Sequence, residues 1–171
     1  MQFKLFKYIT GAAAAVLLLA SCEKKDYPAG LPEYEHHYYL VYVPNNNTQV
    51  NVQRTQTTLL KFPVQFYSSF SRSYDAVGYY QIVTTGIANP AVPGQDFDIV
   101  DKNGATIQPV DGKYSITFQK AEKRTDTIYV KMLNNPTPGT RKMEVQIMEN
   151  QTNEYYVDIF STAFRRPVEI R

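Results

Sequence analysis

From residue 37 onward, apolar and polar positions alternate with a period of two, the repeat of a strand whose side chains point to opposite faces of a sheet. Tyr39, Val41 and Val43 alternate with Tyr38, Leu40 and Tyr42, and Val50 and Val52 flank Asn51. Phe62, Val64 and Phe66 alternate with Lys61, Pro63 and Gln65. Pro63 places that strand at a sheet edge or a bulge, because proline lacks the N–H that a ladder needs. Further runs lie at Tyr80 and Ile82, Phe97 to Val100, Tyr114 to Phe118, Ile128 to Met132, Met143 to Ile147, Tyr155 to Ile159 and Pro167 to Ile170. Turn residues separate them: Asn45-Asn46-Asn47, Pro93-Gly94, Lys102-Asn103-Gly104, Asp111-Gly112, Asn134-Asn135-Pro136 and Pro138-Gly139. No long stretch repeats at 3.6 residues. Residues 36–171 are therefore expected to form one all-β domain of about seven to nine strands, a two-sheet sandwich in preference to a closed barrel.

The first 35 residues follow other rules. Lys4 and Lys7 precede an unbroken apolar run from Ala12 to Ala20. That run is too short for a bilayer core, which takes about 20 apolar residues. A basic flank, a short apolar core and small residues after it read as a secretory signal over residues 1–21. The segment Leu19-Ala20-Ser21-Cys22 resembles the lipobox of bacterial lipoproteins. The resemblance implies cleavage before Cys22 and a diacylglycerol on its sulfur. Several acyl chains on one residue anchor stably where one chain alone is marginal. Cys22 is the only cysteine, so no intrachain disulfide can form. Residues 22–35, the lipidated cysteine and a stretch punctuated by Pro28, Gly30 and Pro32, read as a tether with a reach of roughly 45 Å. Glu23-Lys24-Lys25-Asp26 resembles the charged export signals of surface lipoproteins of Bacteroidetes. The expected location is the outer membrane, facing the cell surface, with a periplasm-facing position as the alternative.

Charge changes the picture once the signal is set aside. Residues 1–21 hold two of the 18 basic residues and none of the 16 acids, so the remainder carries 16 of each. A near-neutral domain lacks the clustered basic face that nucleic acid requires. Aromatics make up 13% of the chain, as 14 tyrosines and 9 phenylalanines without a tryptophan, which favours half-buried pleated surfaces.

Within the domain, Gly94-Gln95-Asp96-Phe97, Ser115-Ile116-Thr117-Phe118, Ala121-Glu122, Thr127-Ile128-Tyr129-Val130 and Met143-Glu144-Val145-Gln146-Ile147 follow one another between Pro93 and Asn150. This succession resembles the Calx-beta type of immunoglobulin-like sandwich. The whole layout resembles small outer-membrane lipoproteins of Bacteroidetes that carry one such module, some beside glycan transporters. Calcium-binding Calx-beta members carry an acidic cluster just after the alternating strand. Here that stretch is Leu133-Asn134-Asn135-Pro136. Calcium takes six to eight oxygen ligands, so no metal is expected, and Asp96, Asp98 and Asp101 are the weak calcium candidates that remain.

Candidate chemistry is sparse. His36 and His37 are the only histidines, and strand neighbours point to opposite faces. No Gly-x-Ser-x-Gly elbow, phosphate loop or zinc spacing occurs. The chain is expected to be no enzyme and to need no cofactor. Tyrosine doublets are the better lead, since one ring of each can face outward, and tyrosine is enriched at interfaces. Tyr38, Tyr42, Tyr79, Tyr80, Tyr155 and Tyr156 are the candidate contacts for a ligand or partner. The expected function is a non-enzymatic, membrane-anchored interaction module accessory to an outer-membrane protein complex. The alternative is a glycan-binding accessory lipoprotein of a polysaccharide-uptake system.

Mass spectrometry of the protein isolated from its own cell envelope is expected to find an N-terminus at Cys22 carrying acyl chains. An uncut or unacylated start would remove the anchor, and Cys22→Ala is expected to release the chain from membranes.

Overall fold

The computed structural model describes residues 36–159 and 162–171. The signal, Cys22 and the tether lie outside the described residues. Eleven strands form among the described ones: β1 His37–Tyr42, β2 Val50–Val52, β3 Leu60–Tyr67, β4 Ala76–Val83, β5 Phe97–Val100, β6 Tyr114–Phe118, β7 Arg124–Met132, β8 Arg141–Met148, β9 Asn150–Gln151, β10 Tyr156–Ile159 and β11 Arg165–Ile170. A single 3-10 turn, Gln119–Ala121, follows β6. The strands make two sheets, one in the order β5-β7-β3-β1-β10-β9 and one in the order β2-β11-β8-β4-β6. The fold is an all-β sandwich. It exceeds the expected seven to nine strands partly through β9, whose two residues are too few to show a period.

Alternation places one face of each sheet in the core. Leu40 of β1, Val64 and Phe66 of β3 and Val130 of β7 meet Val145 and Ile147 of β8 and Phe118 of β6, all buried. Phe66 and Phe118 stack across the gap, ring centres 4.4 Å apart and planes 13° from parallel. The Tyr42 hydroxyl donates to the Val145 carbonyl at 2.8 Å, linking β1 to β8. A third link runs from the Asn150 amide of β9 to the Val77 carbonyl of β4, 2.7 Å.

Two pairings are parallel, β1 with β10 and β11 with β2, and the other strand pairs are antiparallel. Pro63 corrects a sequence expectation. Its strand is not at an edge, because β3 lies between β7 and β1. The Pro63 carbonyl accepts the Val43 N–H at 2.9 Å, one residue past the end of β1. In an antiparallel strand the N and O of one residue point to the same side. The missing donor thus faces the place where the β1 ladder has already ended, and the ladder to β7 loses nothing.

Gly78 of β4 marks a tight point of the core. A Cβ there would lie 2.9 Å from Leu40 Cδ2 and 3.3 Å from Phe118 Cε2, both buried. Gly78→Ala is expected to destabilise the domain by about 1–3 kcal/mol through overpacking, read as a lower urea midpoint. An unchanged midpoint would show that the sheets have slack.

Candidate functional site

A concavity with an aromatic floor lies on the outer face of β4 and β6. Alternation sends Ala76, Gly78 and Tyr80 inward and Val77 and Tyr79 outward, and in β6 it sends Ile116 and Phe118 inward and Ser115 and Thr117 outward. Register then pairs Tyr79 with Ser115 and Val77 with Thr117. The β5–β6 connection forms the opposite wall. It begins with the Asp101 carboxylate accepting the backbone N–H groups of Asn103 at 2.8 Å and Ala105 at 2.9 Å. These donors hold that carboxyl below its usual range. It ends in a two-residue hairpin. Asp111 and Gly112 both have positive φ, 49° and 75°, and Val110 and Lys113 exchange backbone bonds of 2.9 and 3.0 Å. Asp-Gly is the pair that such a turn favours.

The hairpin carries Lys113 back over the sheet, with Nζ 5.7 Å from the centre of the Tyr79 ring. A groove of about 610 Å³ lies between hairpin and sheet, lined by Val77, Tyr79, Val110, Lys113, Ser115 and Thr117 among others. Val110 is 76% exposed. The groove therefore offers two tyrosines, one cation, one carboxylate, the hydroxyls of Ser115 and Thr117 and an apolar flank. Its volume is that of a small-ligand or side-chain pocket, and its composition suits binding through stacking and hydrogen bonds.

The six candidate tyrosines separate. Tyr38, Tyr42, Tyr80 and Tyr155 are buried, so in this structure their rings are core and not contact surface. Burial pushes the Tyr42 and Tyr80 hydroxyls far up. The Tyr38 hydroxyl is 2.6 Å from that of Tyr74, which is 2.6 Å from His36 Nδ1. Tyr155 stacks on Tyr74 at 5.5 Å and accepts the Val77 N–H. Only Tyr79 and Tyr156 of the six keep partial exposure, and they lie on different sheets. Tyr156 stacks on His37 at 4.8 Å, and His37 Nε2 lies 3.0 Å from Asp158 Oδ2. Burial, with Glu149 and Asp158 nearby, raises the Tyr156 hydroxyl. The two histidines thus have different partners.

The three candidate acids also take separate duties. Asp96 is buried and accepts the Val92 N–H and the Asn135 amide, each at 2.7 Å. Asp98 lies 3.3 Å from the Thr106 hydroxyl. Asp101 shapes its own turn. Among the described residues no three or more His, Cys, Asp or Glu gather as a metal site. The loop beyond β7 instead turns its carbonyls toward Arg54. Nη1 donates to the Asn135 carbonyl at 2.9 Å and to that of Thr137, and Nη2 donates to that of Gly139. A fixed guanidinium holds a cradle of oxygens beside Asp96. Sequence reasoning missed Arg54 and Lys113, since neither sits in a motif; only the Asp-Gly pair before Lys113 hinted at the hairpin.

The sandwich is similar in fold to a Calx-beta domain. The solved apo form of the Calx CBD1 domain aligns with a TM-score of 0.52 at 12% identity, over 78% of this chain and 95% of that one. The calcium binding domain CBD12 of CALX1.1 aligns with a TM-score of 0.44 at 11% identity, over 77% of this chain and 44% of that one. No protein-family model matches the sequence, and no curated protein matches it.

Calcium at about 1 mM, the range of weak extracellular sites, is expected to leave the melting temperature where EDTA leaves it. Asp96→Ala is expected to cost about 1–3 kcal/mol by orphaning two donors. A calcium-dependent rise in melting temperature that Asp96→Ala abolishes would restore a metal role.

Proposed function

We propose that this chain is a non-enzymatic interaction module, held at the outer membrane by a lipid on Cys22 and accessory to an outer-membrane protein complex. Its contact surface is the groove between the Val110–Lys113 hairpin and the outer face of β4. The observation that carries the reading is the Tyr79 ring lying at the groove floor under Lys113. A partly exposed tyrosine with a neighbouring cation and an exposed aliphatic residue is the composition of an interface anchor. β6 also ends its sheet, so an extended segment of a partner can pair along it. The lipobox-like segment supports the anchor, and the Calx-beta-like sandwich supports a binding domain over a catalytic one.

One observation favours a glycan as the second reading. Ser115, Thr117, Gln108 and Asp111 line the same groove and bring hydrogen-bonding groups to it. A pyranose stacked on Tyr79 would find donors and acceptors at its edge.

A photo-crosslinking residue at Val110 in the lipoprotein on intact cells is expected to capture an outer-membrane protein, and Tyr79→Ala is expected to weaken that contact about thirtyfold, the loss of one hot spot. Tyr79→Ala is expected to keep the fold, since its ring lies outside the core. A glycan array separates the readings: glycan binding lost in Tyr79→Ala selects the second. Neither capture nor glycan binding would remove both.

A further inference from the structure

Arg166 occupies a position that its strand assigns to the core. It shares the inward phase of β11 with Val168 and Ile170 and is only 5% exposed. A buried charge is costly without a partner of opposite sign. No carboxylate lies within ion-pair distance of it among the described residues. Its neighbours are neutral. Nη1 donates to the carbonyl and the side-chain oxygen of Asn46, Nη2 donates to the Pro44 carbonyl at 2.7 Å, and the guanidinium lies 4.6 Å from the centre of the Tyr42 ring. These contacts fix the group in place and bring no negative charge. Of five N–H donors, the one on Nε and the second on Nη2 have no acceptor among the described residues.

Arg166 lines a cavity of about 290 Å³, whose walls include Val43, Pro44, Leu60 and Phe62. Lys61 adds a second cation to the lining, and no acidic residue lines it among the described residues. We propose that this cavity binds a small carboxylate with a short apolar body. The planar carboxylate matches a guanidinium offering two free donors, and it supplies a negative charge where the lining has none. The apolar walls take the body of the ligand, and a cavity at the small end of ligand pockets limits that body to a few carbons. The apolar walls favour the hydrocarbon body of a carboxylate over a phosphate, which is polar on every side. Burial shifts the Arg166 pKa downward, as expected of a cation without a counter-ion.

The test is a titration of the lipoprotein in detergent with hexanoate, with benzoate, and with hexanol as the neutral control. The readouts are the backbone amides of Asn46, Thr48 and Lys61 and the Nε–H of Arg166 by NMR. Saturable shifts are expected with both acids, and hexanol is expected to bind at least about tenfold more weakly, one charge-assisted hydrogen bond's worth. Lys61→Ala is expected to weaken hexanoate about two- to fivefold, as for one exposed charge, and Arg166→Met to abolish its binding. If Arg166→Met does not fold, the comparison of hexanoate with hexanol in the unaltered protein decides. No saturable shift with either acid, or hexanol binding as tightly as hexanoate, overturns the assignment.

Discussion

Phe66 and Phe118 join the two sheets face to face, and the surrounding core is arranged around that stack. Tyr38 leans on Phe66 from one side, with ring centres 5.0 Å apart, and Gly78 leaves the space that Leu40 and Phe118 fill. Aromatic pairs of this kind contribute about 0.5–1.5 kcal/mol beyond the area they bury. A domain without a disulfide has to obtain its cohesion from such packing. Rings are an economical means, since each buries a large area while freezing only two side-chain torsions.

Tyrosine in a core brings a hydroxyl that must be satisfied. Here the hydroxyls serve as ties. Tyr42 reaches a carbonyl of the opposite sheet, Tyr155 receives an N–H of β4, and Tyr38 joins the Tyr74–His36 chain at one end of the sandwich. The same residue type thus supplies apolar bulk and directional bonds, and four of the fourteen tyrosines are accounted for in the core.

That double use is also why the fold was more legible than the surface. The period of two marked most strands, and Asp111-Gly112 marked the hairpin. The phase of β1 was not legible, because Tyr38, Leu40 and Tyr42 alternate with residues equally apolar, so hydrophobicity does not say which set faces the core. Only register with β3 and β10 decides it. Tyr79 and Tyr80 posed the same ambiguity; Gly78, too small to cover a surface and two residues from Tyr80, was the overlooked hint of the inward phase. Arg54, Lys113 and Arg166 act through loops that fold back from distant parts of the chain, and no local pattern records such meetings. Pro63 misled for a related reason, since its effect depends on where β1 stops.

The parallel pairing of β1 with β10 has a mechanical meaning. The described chain enters the domain through β1, which is hydrogen-bonded on one side to β10 and on the other to β3. A load applied at that entrance meets a central strand before any edge strand. Such a strand resists being drawn out lengthwise, because the bonds on both flanks share the strain and must fail together. A body pulled at that end would hold its shape until many bonds gave way at once, where an edge strand would peel away one bond at a time.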